Sequence, residues 1–435
     1  MSLLISTVII ISFGQLLCSI FDNPIVIIIK RTNTKKIIAG IIFISQITLL
    51  IAQDSFNVEY HGYINWTAIY DSRQTVSARE GHFLLYPKGL SADAFGKDIN
   101  AVPNLNFSVI QTRVSSKVTT PTFLGAKTYG LIEAEFMGNS EADVNGFRLR
   151  HAFINLDWGS TSLLIGQTWI PMFITEAFPQ QIGSNGGAPF QPFGRNPQIR
   201  LTQKFGSISL IGTMMTQRDY VSPGPNGSSS EYMRNSTLPD FNLQVRYNIP
   251  SFLVGVSGQF KKLRPSTVSE LNHYTDETVS GYSFMAFTKI TTSNFNFLAE
   301  GVYGTNLADY TMLGGYAVKS TDPVTKVQKY EPLKTYSVWT DFSYNNFFIY
   351  GLFLGYTENL GSTEQVENQY FARGSNIKSI YRIAPRISFK HAELLISLEY
   401  ELTAAAYGIP NQKGIVENTT NFKNNRVYTS VYYFF

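Results

Sequence analysis

From Gln53 onward the chain shows no helical period longer than about two turns; segments of roughly 9–14 residues instead place apolar side chains at every second position. The clearest are Phe241/Leu243/Val245/Tyr247, Phe252/Val254/Val256/Phe260, Tyr336/Val338/Phe342/Tyr344 and Leu394/Ile396/Leu398/Tyr400/Leu402. Their intervening positions are polar, among them Gln244, Arg246, Gln259, Lys261, Asp341, Glu399 and Glu401. The last stretch, Val427 to Phe435, carries aromatics in both phases and no charge. In water such a terminus is an adhesive strand edge; closing a barrel removes the edge. Strands of about 9–11 residues tilted by about 45° span a bilayer, so these segments are long enough to cross one.

The connections fall into two kinds that alternate along the chain. Short ones occur at Thr119–Leu124, Gly159–Thr161, Gly206, Asn248–Ser251, Thr291–Ser293, Asn345–Asn346 and His391. Long polar or Gly/Pro-rich ones occur at 72–103, 138–145, 170–196, 218–238, 263–276, 305–331, 358–375 and 405–423. Seven short turns and eight long loops predict an all-β fold, a 16-stranded antiparallel transmembrane β-barrel with short periplasmic turns and long extracellular loops. Tyr310–Val318 also has strand character, but it would make the count odd; it is expected inside the sixth loop, above the membrane.

Composition narrows the class. Charged residues are 15%, aromatics include 25 Tyr and 32 Phe, and mean hydropathy is near zero, which suits strands with one lipid face and one wet face. The long apolar runs lie in the first 52 residues. Lys30–Lys36 is a basic start, Ile37–Ile51 an apolar core, and cleavage is expected after Ala52. The domains are thus a leader, 1–52, and a barrel, 53–435; Met1–Ile29 reads as an extension upstream of the true start, with a retained N-terminal anchor as the alternative. Lys30, Arg31, Lys35 and Lys36 against Asp22 give the leader +3 of the total +4, so the basic balance implies no nucleic-acid partner. The single cysteine, Cys18, lies in the leader, which removes disulfides and thiolate metal sites from the barrel.

If apolar positions face lipid, the polar members of each strand point into the lumen. On 377–390 this sets Tyr381, Ile383, Ile387 and Phe389 outside and Lys378, Arg382, Arg386 and Lys390 inside. The same logic brings Arg113, Arg200, Lys204 and Arg246 inward, opposite acidic positions such as Glu133, Glu135, Glu300, Asp341, Glu399 and Glu401. Opposed basic and acidic stripes make a transverse field able to select ions, although cross-pore ion pairing accounts for each residue singly. On 146–158 the alternation changes phase between Arg148/Arg150 and Ala152/Ile154, which a bulge near His151 would explain. Segment 170–196 is too apolar to extend into water. It is expected to fold into the barrel as a constriction, burying Phe173, Phe178, Phe190 and Phe193 and carrying Glu176 and Arg195; packing at a subunit boundary is the alternative.

Tyr63–Arg73, Phe147–Phe153 (FRLRHAF), Gly166–Trp169 (GQTW) and Arg195–Arg200 (RNPQIR) resemble the DcaP-like porins of Gram-negative outer membranes. The resemblance is good over about 57–205 and is carried most specifically by RLRHA with GQTW. It implies a homotrimer in outer-membrane lipid that passes small anionic solutes such as dicarboxylates by diffusion. By the same resemblance, Arg148, Arg150 and Arg200 would bind solute at the constriction; separately, the C-terminal strand ending in Phe435 resembles the signal by which bacterial outer-membrane barrels address the barrel-assembly machinery. Many relatives carry a periplasmic coiled coil before the first strand; here strand one follows the leader almost at once. Phosphate selectivity, as in related porins, and a structural or adhesive barrel remain as alternatives.

No Gly-x-Ser-x-Gly elbow, Walker loop or His-Glu-x-x-His occurs, and His61, His82, His151, His273 and His391 lack ligand spacing. A non-enzymatic protein without catalytic residues, metal or cofactor is expected.

Overall fold

A closed ladder follows from that alternation. The computed structural model describes residues 56–435 apart from 184 and 185, so the leader at 1–52 lies outside the described residues. Sixteen antiparallel strands run in chain order, and the last pairs with the first. They are β1 (Asn57–Asp71), β2 (in two pieces, Asn104–Ser108 and Arg113–Phe123), β3 (Ala126–Glu135), β4 (Arg148–Asp157), β5 (Thr161–Trp169), β6 (Arg195–Phe205), β7 (Ile208–Met215) and β8 (Asp240–Ile249). There follow β9 (Phe252–Leu263), β10 (Val279–Thr291), β11 (Phe295–Thr305), β12 (Gln328–Asn345), β13 (Ile349–Gly361), β14 (Ile377–His391), β15 (Leu394–Pro410) and β16 (Val416–Phe434). The seam pairs Tyr63 with Phe434 through to Asp71 with Arg426. At its end Gly62 and Phe435 exchange backbone hydrogen bonds of 3.0 and 3.1 Å. A Cβ on Gly62 would lie 2.7 Å from the Phe435 ring and 2.4 Å from the Arg113 carbonyl, so this closing position admits only glycine without movement.

Lipid-facing positions agree with the alternation: Leu243, Val256, Val338, Leu398 and Tyr433 are exposed, while Asn242, Ser257, Ser337, Glu399 and Ser430 between them are buried. The segment Gly314–Thr321 is a strand outside the barrel ladder, paired with the loop-side extension of β12 and with Tyr370–Arg373. On β4 the phase change has its bulge: Glu133 pairs with His151 but Ala134 with Leu149, leaving Arg150 as the additional residue. Arg148, Arg150 and His151 therefore all point inward, and Phe147, Leu149 and Ile154 outward.

Three expectations need correction. The first turn is Leu124–Gly125, both at positive φ, rather than 119–124. The last loop is only 411–415, because residues 405–410 and 416–423 continue the β15–β16 ladder. Residues 417–421 are exposed and polar; this part of the ribbon stands in water, and without a lipid face it has no apolar phase to announce it. The lumen is also less wet than alternation implies. Leu253, Met285, Phe287, Leu298, Trp339 and Phe353 point inward from β9–β13 and form one buried cluster with three loops. Those loops supply Phe83, Leu85 and Tyr86; Ile170, Met172, Phe173, Phe190 and Phe193; and Leu307, Tyr310, Met312 and Leu313.

Candidate functional site

Against the filled side of the barrel, β1–β6 present charge. Glu133 and Glu135 stand two apart on β3 and so share one face of the sheet. Arg113 on β2 approaches Glu135 at 3.0 Å and Glu133 at 3.6 Å. On β4, Arg148 meets Glu135 at 2.6 Å, and Arg150 meets Glu133 at 2.7 Å and Glu135 at 2.8 Å. Three guanidinium groups thus converge on one wholly buried carboxylate, Glu135. Arg148 and Arg150 share this face by alternation, and the bulge turns His151 inward beside them.

Asp219 extends the cluster from the loop after β7. It holds Arg195 at 2.6 Å and stands 3.6 Å from Arg148. Burial alone would raise its pKa, but Arg195 and Arg148 outweigh burial and hold the carboxyl below the usual range. Trp169 lies between Arg195 and Arg150, 4.7 and 5.6 Å from its ring, and stacks on Phe173 at 3.9 Å. Four arginines (113, 148, 150, 195) therefore face three carboxylates, leaving one positive charge in excess. A cavity of about 350 Å³ opens beside them, lined also by Tyr63, Gln111, Phe178, Gln181 and Tyr432.

The described residues of segment 170–194, all but 184 and 185, lie inside the barrel. Gln244 donates to the Pro171 carbonyl at 3.1 Å and Arg246 contacts Glu176 at 3.0 Å. Across the lumen, the Gln180 and Ile182 amides donate to Asp341 and Glu399, each at 3.2 Å. Ser337 donates to the Phe190 carbonyl at 2.6 Å. Phe173, Phe190 and Phe193 are buried and Phe178 partly so. Burial opposes ionisation of Glu176, yet Arg246 leaves its pKa lowered.

The remaining sequence candidates are in unlike settings. Arg200 is half-buried and donates to Gln198 at 2.7 Å and to the Trp169 carbonyl at 2.6 Å, with no ion pair among the described residues. Lys204 is exposed near the short-turn end of β6. Arg386 is taken by Asp341 in a two-pronged pair of 2.9 and 2.7 Å. Arg382, wholly buried, is a fastener: it donates to the Leu84 and Leu85 carbonyls at 3.2 Å, to Ala188 at 3.0 Å and to Thr403 at 2.9 Å. Lys378 leaves the inward column because a register shift between Ile377 and Ser379 sets it outward and exposed. Sequence reasoning missed Asp219, Trp169 and Gln181. It also missed the second and third inserted loops, whose apolar runs Phe83–Pro87 and Tyr310–Leu313 were the available signal.

A family model described as DcaP outer membrane protein matches residues 44–296. Among solved structures, the outer membrane channel DcaP of Acinetobacter baumannii is similar at TM-score 0.63 and 16% identity, covering 88% of this chain and 98% of that one. OmpT of Vibrio cholerae follows at 0.53 and 9%, with 88% and 99% covered. The anion-selective porin from Comamonas acidovorans gives 0.51 and 11%, with 88% and 100% covered. At these identities the likeness is one of fold. No curated protein matches the sequence.

Proposed function

This chain belongs to the DcaP outer membrane protein family and is an outer-membrane channel of the porin type; we propose that small hydrophilic anions, dicarboxylates among them, cross it by passive diffusion. The observation that carries the reading is the charge balance of the wall beside the inserted loop. Arg113, Arg148, Arg150 and Arg195 exceed Glu133, Glu135 and Asp219 by one charge, and Arg200 adds a guanidinium that makes no ion pair among the described residues. A transiting anion meets donors already oriented by their counter-charges, so attraction is weak enough to allow release. Segment 170–194 narrows the passage and sets its width. The channel assembles as a homotrimer, and Phe435 serves as the assembly signal.

Reversal potential across a planar bilayer under a salt gradient tests the preference: an anion-selective potential is expected, and a cation-selective one refutes it. Conductance rising in steps of three supports the trimer. One observation favours a second reading, a structural barrel: the apolar cluster that fills the β9–β13 side. Bilayers that remain silent with folded protein would establish that reading instead.

A further inference from the structure

A second cavity, about 520 Å³, lies between segment 170–194 and the short-turn ends of β10–β15. Its walls are of a different kind from those of the arginine cavity. The barrel contributes Asn296, Ser343, Asn345, Ser388 and Ser397; the inserted loop adds Thr175, Gln180 and Gln181. Of the three charges at its edge, Arg386 is committed to Asp341 and Glu176 to Arg246, while Lys289 has no ion pair among the described residues. Amides and hydroxyls donate and accept alike. Such a lining matches a solute that both donates and accepts, whereas a bare carboxylate would use only the donors of these groups.

The two cavities share Thr175, Phe178, Gln181, Ile182 and Tyr432. At this junction Gln181 is only 8% exposed, and neither its amide nitrogen nor its oxygen has a hydrogen-bond partner among the described residues. A primary amide enclosed in this way presents one donor edge and one acceptor to whatever occupies the junction.

We infer that the two cavities form one binding site for a hydroxylated carboxylate of the sugar-acid type, its carboxylate toward Arg113, Arg148 and Arg150, its hydroxyls among the amides and hydroxyls of the second cavity, and Gln181 bridging the two. The charged end rests on the anion reading above; the hydroxyl end rests on the second cavity alone.

Gluconate, hexanoate and sorbitol separate the parts, because hexanoate lacks the hydroxyls of gluconate and sorbitol lacks its charge. In planar bilayers with the full barrel, gluconate should halve the ion current at a lower concentration than either comparator. Gln181→Leu should raise that concentration by about threefold to tenfold, the range of one lost neutral hydrogen bond, and leave hexanoate unaffected. Ser397→Ala, on the barrel wall, should act in the same direction if the loop variant fails to fold. Equal block by gluconate and hexanoate, or folded variants that leave gluconate block unchanged, would overturn the inference while the anion preference stands. A cation-selective reversal potential in the same membranes would instead remove the anion reading and the charged end of the site with it.

Discussion

Replacing Arg382 by alanine should enlarge the channel, not only change its charge. The guanidinium is wholly buried and makes four hydrogen bonds, to the carbonyls of Leu84, Leu85 and Ala188 and to the Thr403 hydroxyl, with Glu401 3.6 Å away. Two inserted loops are therefore fixed to β14 and β15 through one side chain. Its removal takes a donor from three carbonyls and strands a buried carboxylate; breaking a buried pair in this way costs about 3–5 kcal/mol. That loss shifts the balance between docked and released loops by roughly 10²-fold to 4 × 10³-fold. Single-channel recordings should show larger mean conductance and more open-state noise in Arg382→Ala than in the parent. Arg382→Lys keeps the charge but loses the planar fork, so it should lie between them. A folded Arg382→Ala barrel with parental conductance and noise would refute the assignment of this residue as the fastener.

Three further outcomes are expected. Arg200→Ala removes a cation that has no ion pair among the described residues and should lower the anion-to-cation permeability ratio, whereas an unchanged reversal potential places Arg200 outside the ion path. Glu135→Gln should raise that ratio, each change being roughly fivefold at low salt, on the scale of ~1 kcal/mol for a charge felt across about 4 Å of water. Burial, reinforced by Arg426 and only partly opposed by the Gln111 hydrogen bond, lowers the pKa of His82 to about 4. Because the released loop protonates His82 near its ordinary value while the docked loop resists, docking should weaken as pH falls from about 6.5 to 4, by on the order of 3 kcal/mol in all. Conductance noise that rises on acidification in the parent and not in His82→Gln would establish this, and identical pH profiles would exclude it.

The outer surface was legible in the sequence because hydrocarbon imposes a strict rule on each strand separately. Leu243 or Val338 must be apolar whatever lies across the barrel. Inward positions obey no such local rule. Phe287, Trp339 and Phe353 are apolar because loops from distant parts of the chain press on them, and in sequence they only blur the alternation. The arginines were recognisable as inward, but their partners were not: Arg150 reaches Glu133 and Glu135 through the β3–β4 register, which pairs residues of two separate strands. Arg382 and Arg386 looked alike on one strand, yet one fastens two loops and the other is bound to Asp341. Asp219 carries no motif at all; its role arises from where its loop returns.

The seam bears on how the molecule comes into being. Its register joins Tyr63 to Phe434, residues from opposite ends of the cylinder's ladder. Every neighbouring pair of strands can zip as a local hairpin, but this one must wait until export has delivered the final aromatic residue. Until then both margins of a nearly complete sheet stand unpaired, at the stage when a growing ribbon is most open to wrong partners. A side chain at Gly62 would therefore do its damage in biogenesis, as slow maturation and loss to periplasmic proteolysis, even if the finished cylinder tolerated it.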